Sequence, residues 1–292
     1  MPVTGDEIGP YLITGLIDEG VMASVFRVRD TRDRTTKAIK LLHLKDDDEA
    51  TERVLREGRA MESIRHKNLV PVLEMIEHDG MPGFVMEHVK GLTLDEWINE
   101  NEAPLVTRMN LFAGITMGLH HLHLNAIIHR DLQPANILVQ QSERGDLTPR
   151  IVDLGLSKHL RDDSITEVGS VFGTLGYVAP EQLHSTSTVA HRADIFSLGC
   201  ILYVLACERE PFDGETNEQL LEAIMATRYT PPRDVVPDLP HQIVTAIDAC
   251  LVKDPSDRIP HCLWVMKVLQ GAPWPPRSAE EWTTPVPPPR RE

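Results

Sequence analysis

The first ninety or so residues carry short apolar runs broken by polar turns, the pattern of strands. YLITGLID (11–18) and ASVFRVRD (23–30) flank a glycine-bearing turn, and TKAIKLL (36–42) follows the polar turn TRDRT. An acidic stretch, DDDEA (46–50), suits the positive end of a helix that runs on through RVLREGRAMESI. LVPVLEMIEH and GFVMEHV then predict two more strands, joined by a turn at DGMPG. Five strands and one helix make a small, sheet-based lobe.

After Gly91 the pattern becomes helical. Leu105, Met109, Phe112, Ile115, Leu119 and Leu122 recur at steps of three and four and predict a long amphipathic helix. ILVQQ and PRIVDLG predict a short strand pair around a polar loop, and helices follow again. The most apolar segment, IFSLGCILYVLAC (195–207), would reach about 20 Å at about 1.5 Å per residue. A hydrocarbon core is about 30 Å thick, so it reads as a buried helix and no membrane span is expected.

Composition narrows the partners. The 292 residues allow one large domain or two closely packed lobes. Lys and Arg number 29 against 44 Asp and Glu, a net charge of −15, which argues against nucleic acid or an anionic membrane as a partner. The four cysteines form no C-x-x-C pair and read as small buried apolar residues in a reducing compartment. The opening MPVTGDEIGP has neither the charge nor the apolar run of an export signal, so the expected location is cytoplasmic. From Gly271 the chain turns proline-rich, with seven prolines in the last 22 residues, and residues 271–292 are expected to form a disordered tail. Its PVPPPR run also matches a PxxP-type ligand.

The strongest chemical signal is HRDLQPAN, His129 to Asn136, between the long helix and the strand ILV. Asp153 follows in IVDLG; upstream stand KAIK, ending at Lys40, and the helix carrying Glu57. Downstream come GTLGYVAPE (173–181) and DIFSLG (194–199). In this order the set resembles the eukaryotic-type protein kinase family. IGPYLI and the compact layout are similar to its bacterial Ser/Thr members. The resemblance spans 11–270 and implies an α+β, bilobal fold. A small five-stranded lobe with one main helix (11–87) would be joined by a hinge (88–91) to a larger, mostly α-helical lobe (92–270).

The resemblance also implies ATP and Mg2+ as cofactors, protein Ser/Thr hydroxyls as acceptors, and autophosphorylation through a transient homodimer. Phosphoryl transfer needs cations, metal and alignment more than covalent chemistry. Lys40 would meet the α- and β-phosphates with Glu57 holding its ammonium; taken alone, the two read as a routine salt bridge. Asp131 would orient the acceptor hydroxyl, and Asn136 and Asp153 would bind the metal through oxygen; alone, these are common turn residues. Nucleotide contacts fall at Ile17, Gly20, Ala23, Val25, Ala38 and Lys40. At the strand end, Glu87 and Val89 would grip adenine and Met86 would limit the pocket. Arg130 would pair with a phosphorylated loop, with Thr166 and Ser170 as acceptors. Glu181 would pair with Arg258 in a buried structural bridge, and Asp194 would brace the catalytic loop.

Three positions depart from the family pattern. Asp18 and Ala23 replace glycines of the nucleotide loop, where Gly20 and Val25 keep their places, so weaker nucleotide affinity is expected. Gln133 stands where Ser/Thr kinases carry a lysine that neutralises the transferring phosphoryl. Losing one preorganised transition-state donor costs on the order of 10²–10³ in rate, which predicts a slow enzyme. The alternative is a pseudokinase, a nucleotide-responsive binding module without phosphotransfer. Leu154 replaces the usual Phe of the metal-binding triplet, while Thr174 and Pro134 match the hydroxyl-directed Ser/Thr branch. A small-molecule phosphotransferase is disfavoured by GTLGYVAPE and DIFSLG.

Overall fold

The computed structural model describes residues 2–44, 48–153, 175–184 and 190–275. It divides the chain into two compact units, Met1–Leu92 with Leu138–Ser164, and Thr93–Ile137 with Ile165–Glu292. Leu154, Thr166, Ser170 and Thr174 lie outside the described residues, as does the chain beyond Pro275.

The first unit is built on one sheet. Its strands are β1 (Glu7–Ile8), β2 (Tyr11–Glu19), β3 (Ala23–Asp30), β4 (Thr36–Leu42), β5 (Val72–His78) and β6 (Met81–Glu87), with α1 (Asp48–Met61) between β4 and β5. All neighbours are antiparallel, in the order β1-β2-β3-β4-β6-β5. The sheet therefore has six strands where five were expected. The extra one, β1, is two residues at the edge, too short to leave a periodic signal. The turn between β5 and β6 is also tighter than DGMPG suggested. Asp79 and Gly80 alone make it, both with positive φ (51° and 78°), the geometry of a two-residue hairpin. Pro82 thus falls on a strand. It is tolerated because pairing of β6 with β4 begins only at Gly83, so no ladder bond to β4 is lost. One sheet face buries Ile8, Tyr11, Ile13, Phe26, Val28, Ile39, Leu41 and Val85 as a single core.

A hairpin of β8 (Ile137–Gln141) and β9 (Leu147–Ile151) joins this unit through backbone bonds. Ile151 N–H donates to Asn68 O, and Val70 N–H donates to Ile151 O, both at 2.9 Å.

The second unit is helical. After the two-residue β7 (Leu92–Thr93), Thr93 and Glu96 form a reciprocal capping box at the start of α2 (Leu94–Glu100). α3 (Leu105–Leu124) follows, then α4 (Pro180–His184), α5 (His191–Cys207), α6 (Asn217–Met225), α7 (Pro232–Val235), α8 (His241–Cys250) and α9 (Cys262–Leu269). α3 buries Phe112, Ile115, Leu119 and Leu122 as its spacing predicts, while Leu105 and Met109 are half-buried. α5 is buried all round from Ala193 to Cys207. Each of its large apolar side chains contributes about 1.5–3 kcal/mol by leaving water. The four cysteines are free and buried, and burial pushes the Cys250 thiol up to about 12. Trp274, at the start of the expected tail, is ordered against Trp264 with ring centroids 6.3 Å apart. Among the described residues, no helix is long and apolar enough to cross a membrane.

The approach of α5 to α8 is set by one residue. A Cβ on Gly199 would stand 2.5 Å from Cys250 Cβ, so α5 and α8 meet only because that position has no side chain. Gly199→Val is expected to destabilise the protein by about 1–3 kcal/mol through overpacking. Urea denaturation followed by circular dichroism measures this, and an unchanged midpoint would show that the helices separate without cost.

Candidate active site

Sheet register sorts the expected nucleotide residues. Val25 is paired with Lys40, Lys40 with Phe84, and Ala38 with Met86. Paired residues share a face of a pleated sheet and alternate residues repeat it. Ala23, Val25, Ala38, Lys40 and Met86 therefore share one face, opposite the core of Phe26, Ile39, Leu41 and Val85. Ile17 and Asp18 are exposed near the end of β2, so the carboxylate of Asp18 stands in water. Gly20 N–H closes the β2–β3 loop on Ala23 O at 2.9 Å. A Cβ on Gly20 would meet only that carbonyl oxygen, at 3.7 Å. The protein itself does not require glycine here; the open space suits close approach of a ligand to the backbone.

Lys40 is the one buried lysine among the described residues, and its ammonium donates to Asp153 Oδ1. Asp153 adopts φ 57°, in the left-handed region that Asp tolerates better than most residues. It is delivered there by the end of β9, which is tied to Asn68 and Val70 as described above. Asn68 Nδ2 adds a bond to Pro149 O at 2.9 Å. Lys40 and Asp153, with Met61, Val70, Val72, Phe84 and Met86, line a cavity of about 20 Å3, room for about one water. Met86 thus borders a nearly filled space. Glu57 lies on α1 and its side chain is outside the described ones.

Glu87 carries a bond that the sequence did not signal. Arg150 of β9 donates to Glu87 Oε2 at 2.7 Å, to Gln140 Oε1 at 3.2 Å and to Leu69 O at 3.2 Å. An arginine on a short mixed strand has no pattern that could announce this. Val89, just past β6, is half-buried.

In the second unit the expected residues gather around one carboxylate. Asn136 Nδ2 donates to Asp131 O at 2.8 Å and to Asp131 Oδ2 at 3.1 Å, while Gln133 Nε2 donates to Asp131 Oδ1 at 3.1 Å. Both oxygens of Asp131 are thereby aimed by side-chain amides. The amide oxygen of Asn136 is the donor type a hard cation takes. Among the described residues no three His, Cys, Asp or Glu cluster around a metal position. That is compatible with magnesium, which is held by one or two protein oxygens and completed by water and phosphate.

The loop is held from below by Asp194, which is fully buried. Its Oδ2 accepts His129 N–H and His123 Nε2, both at 2.8 Å, and its Oδ1 accepts Arg130 N–H at 2.7 Å. Burial alone would raise the pKa of Asp194; the hydrogen bond and charge of His123 and the His129 N–H outweigh it, and the carboxyl sits below its usual range. Arg130 adopts φ 62° and accepts a bond from Gln182 Nε2 at 3.0 Å through its carbonyl. Glu181 and Arg258 pair as expected, at 2.7 and 3.0 Å. All five guanidinium donors of Arg258 are used, the rest going to the carbonyls of Val252, Arg192 and Lys253.

Residues 11–273 match the family described as Protein kinase domain. The chain is similar to the serine/threonine-protein kinase PrkC of Bacillus subtilis (strain 168), 32% identical over 254 residues, 86% of this chain and 38% of that protein. It is 31% identical over 293 residues to the DNA damage-responsive serine/threonine-protein kinase RqkA of Deinococcus radiodurans, 97% of this chain and 42% of that protein. The chain thus spans about four tenths of the length of these curated relatives. Among solved structures it resembles the Mycobacterium tuberculosis PknI kinase domain, with TM-score 0.70 at 20% identity over 92% of this chain and 99% of that one. Rad53 1-466 in complex with AMP-PNP gives TM-score 0.71 at 25% identity, over 89% of this chain and 65% of that one.

Because its folded pKa is depressed, Asp194 contributes stability that is fully present above about pH 4, the unfolded value. That contribution is lost as pH falls through the lower folded pKa. Asp194→Asn is expected to cost about 3 kcal/mol at neutral pH. The gap from wild type should narrow below about pH 4 when unfolding free energies are measured across pH; a gap independent of pH would contradict the assignment.

Proposed function

The chain belongs to the protein kinase domain family, and on that premise we propose that it is a Ser/Thr protein kinase that phosphorylates protein hydroxyls and itself. One observation carries the reading: the carboxylate of Asp131 is aimed by two amides and its loop is anchored on a buried charge. Such preorganisation is what acceptor alignment requires. The relatives support the choice of Ser and Thr, being named serine/threonine-protein kinases, and the AMP-PNP complex of a structural neighbour supports the nucleotide.

Bound Mg-ATP would supply the phosphoryl group, and its Mg2+ would supply positive charge to neutralise the transferring group. Asp131 accepts the hydrogen bond of the acceptor hydroxyl and takes its proton. Lys40 would meet the nucleotide phosphates, and Asn136 and Asp153 are each of the oxygen-donor type that would hold the metal. Val25, Ala38 and Met86 would pack against the base, the backbone of Glu87 and Val89 would grip it, and Gly20 leaves the loop backbone open. Arg130 answers a phosphorylated loop, and a transient homodimer serves autophosphorylation in trans. The free, buried cysteines support a reducing, cytoplasmic setting.

Gln133 favours a second reading. It donates to Asp131 without adding charge, and charge-assisted bonds are roughly twice as strong as neutral ones. A pseudokinase would bind Mg-ATP and transfer nothing.

Incubation with ATP labelled at the γ position and Mg2+ is expected to place label on Ser or Thr. Asp131→Asn should lower the rate by at least about 10²-fold, and chelation of the metal should stop it. Equal labelling by wild type and Asp131→Asn refutes catalysis at this site. A thermal shift with Mg-ATP and no label establishes the second reading instead. Gln133→Lys is expected to raise kcat by about 10²-fold; no gain would show that the missing charge is not what limits turnover.

A further inference from the structure

We propose that His43 is a positioning residue for the nucleotide, clamping the β2–β3 loop in the conformation that receives phosphate; this rests on the kinase reading above. His43 follows β4 directly, three residues after Lys40. Its ring bridges the loop, with Nδ1 3.0 Å from Val21 O and Nε2 3.0 Å from Ser24 Oγ. A carbonyl oxygen can only accept, so Nδ1 carries the proton. A neutral ring then accepts the Ser24 hydroxyl at Nε2, and a protonated ring donates there, so the clamp holds in either state. Ser24 is buried, which gives the ring a fixed anchor on β3.

The backbone completes the arrangement. His43 N–H donates to Met22 O, and Gly20 N–H donates to Ala23 O, both at 2.9 Å. The carbonyls of Val21, Met22 and Ala23 are therefore all engaged by the protein's own donors. The N–H groups of Val21 and Met22 have no acceptor among the described residues. A carbonyl oxygen repels an anion and a free peptide N–H attracts it. His43 thus keeps two of these three repelling dipole ends occupied, Val21 O through its ring and Met22 O through its N–H, at a loop whose tip, Val21, is 84% exposed. Holding an exposed tip in place beforehand removes an ordering cost that nucleotide binding would otherwise meet. The need is real in this chain, because Asp18 and Ala23 occupy positions where the family pattern has glycine.

The test uses the full chain and the variants His43→Ala, His43→Gln and Ser24→Ala. Read-outs are the Mg-ATP dissociation constant by calorimetry, KM and kcat for phosphotransfer, and amide hydrogen exchange at Gly20 without nucleotide. His43→Ala is expected to weaken ATP binding and raise KM about three- to tenfold, the effect of losing one or two ordinary hydrogen bonds. kcat should change less than about twofold, and exchange at the bonded amide of Gly20 should accelerate. Ser24→Ala should show part of the effect. His43→Gln, whose amide can both donate to Val21 O and accept from Ser24, should restore most of it. Unchanged ATP affinity and exchange in His43→Ala overturn the proposal while leaving the kinase reading intact. So does a fall in kcat and thermal midpoint at unchanged affinity, which would make His43 a general structural residue. A wild-type chain that neither binds Mg-ATP nor transfers phosphate overturns the kinase reading, and this inference falls with it.

Discussion

A carboxylate with no solvent contact costs several kcal/mol unless donors surround it, and Asp194 meets that demand by taking two consecutive peptide N–H groups. Satisfying it dictates the shape of the segment above. His129 and Arg130 must both turn their N–H groups toward α5, and Arg130 reaches that geometry at φ 62°. An arginine in left-handed backbone costs about 1–3 kcal/mol, so the conformation persists because the buried charge holds it. Asp131 follows immediately, and its direction is inherited from this anchor before Asn136 and Gln133 refine it. The same helix fixes a second stretch: Ser197 Oγ donates to Tyr177 O at 2.7 Å, and Gln182 links that stretch to Arg130 O. α5 is thus a largely apolar platform, buried from Ala193 to Cys207, that carries these polar anchors.

In the first unit, pairing does what burial does in the second. Antiparallel register decides which side chains stand beside Lys40, because a slip of one residue would exchange every site residue for a core residue. The core face is large and apolar, so that slip is prohibitive. Lys40 then needs only its anion, and Asp153 is brought by backbone bonds between the end of β9 and residues 68–70. Arg150 lies one residue before Ile151, on the same tethered strand, and ties Glu87 at the end of β6 to Leu69 O and Gln140. One short strand therefore serves both the charge pair and the strand end.

Much of this was legible from residues alone. β2, β3 and β4 end within one residue of their sequence limits, and α5 was recognisable as a buried helix because it is apolar on every side. The motif order led to the Glu181–Arg258 pair and to the bracing of the 129–131 loop by Asp194, both of which the structure forms. What escaped depends on neighbours distant along the chain. β1 exists only because β2 offers it an edge. Residues 138–151 join the first unit through bonds to residues 68–70, which no local pattern encodes. The roles of Arg150 and His43 are set by the register and loop path that bring Glu87, Val21 and Ser24 within reach, and residue type alone does not imply them.

The sharpest tension in the sequence was Gln133, and the geometry changes its meaning. A lysine at that position would bring a charge; the glutamine instead donates to Asp131 Oδ1 and shares the carboxylate with Asn136. Position is therefore retained while field is lost. Alignment and proton acceptance depend on the first, and stabilisation of developing phosphoryl charge depends on the second. A loss of about 3–4 kcal/mol from one missing donor is a minority of the roughly 8–23 kcal/mol by which enzymes lower barriers. The buried Lys40 and the oxygen donors suited to a metal are untouched by the change. On the reading proposed above, the buried charge, the left-handed arginine and the two amides all serve to aim one carboxylate, and slow transfer is what such alignment without the added charge predicts.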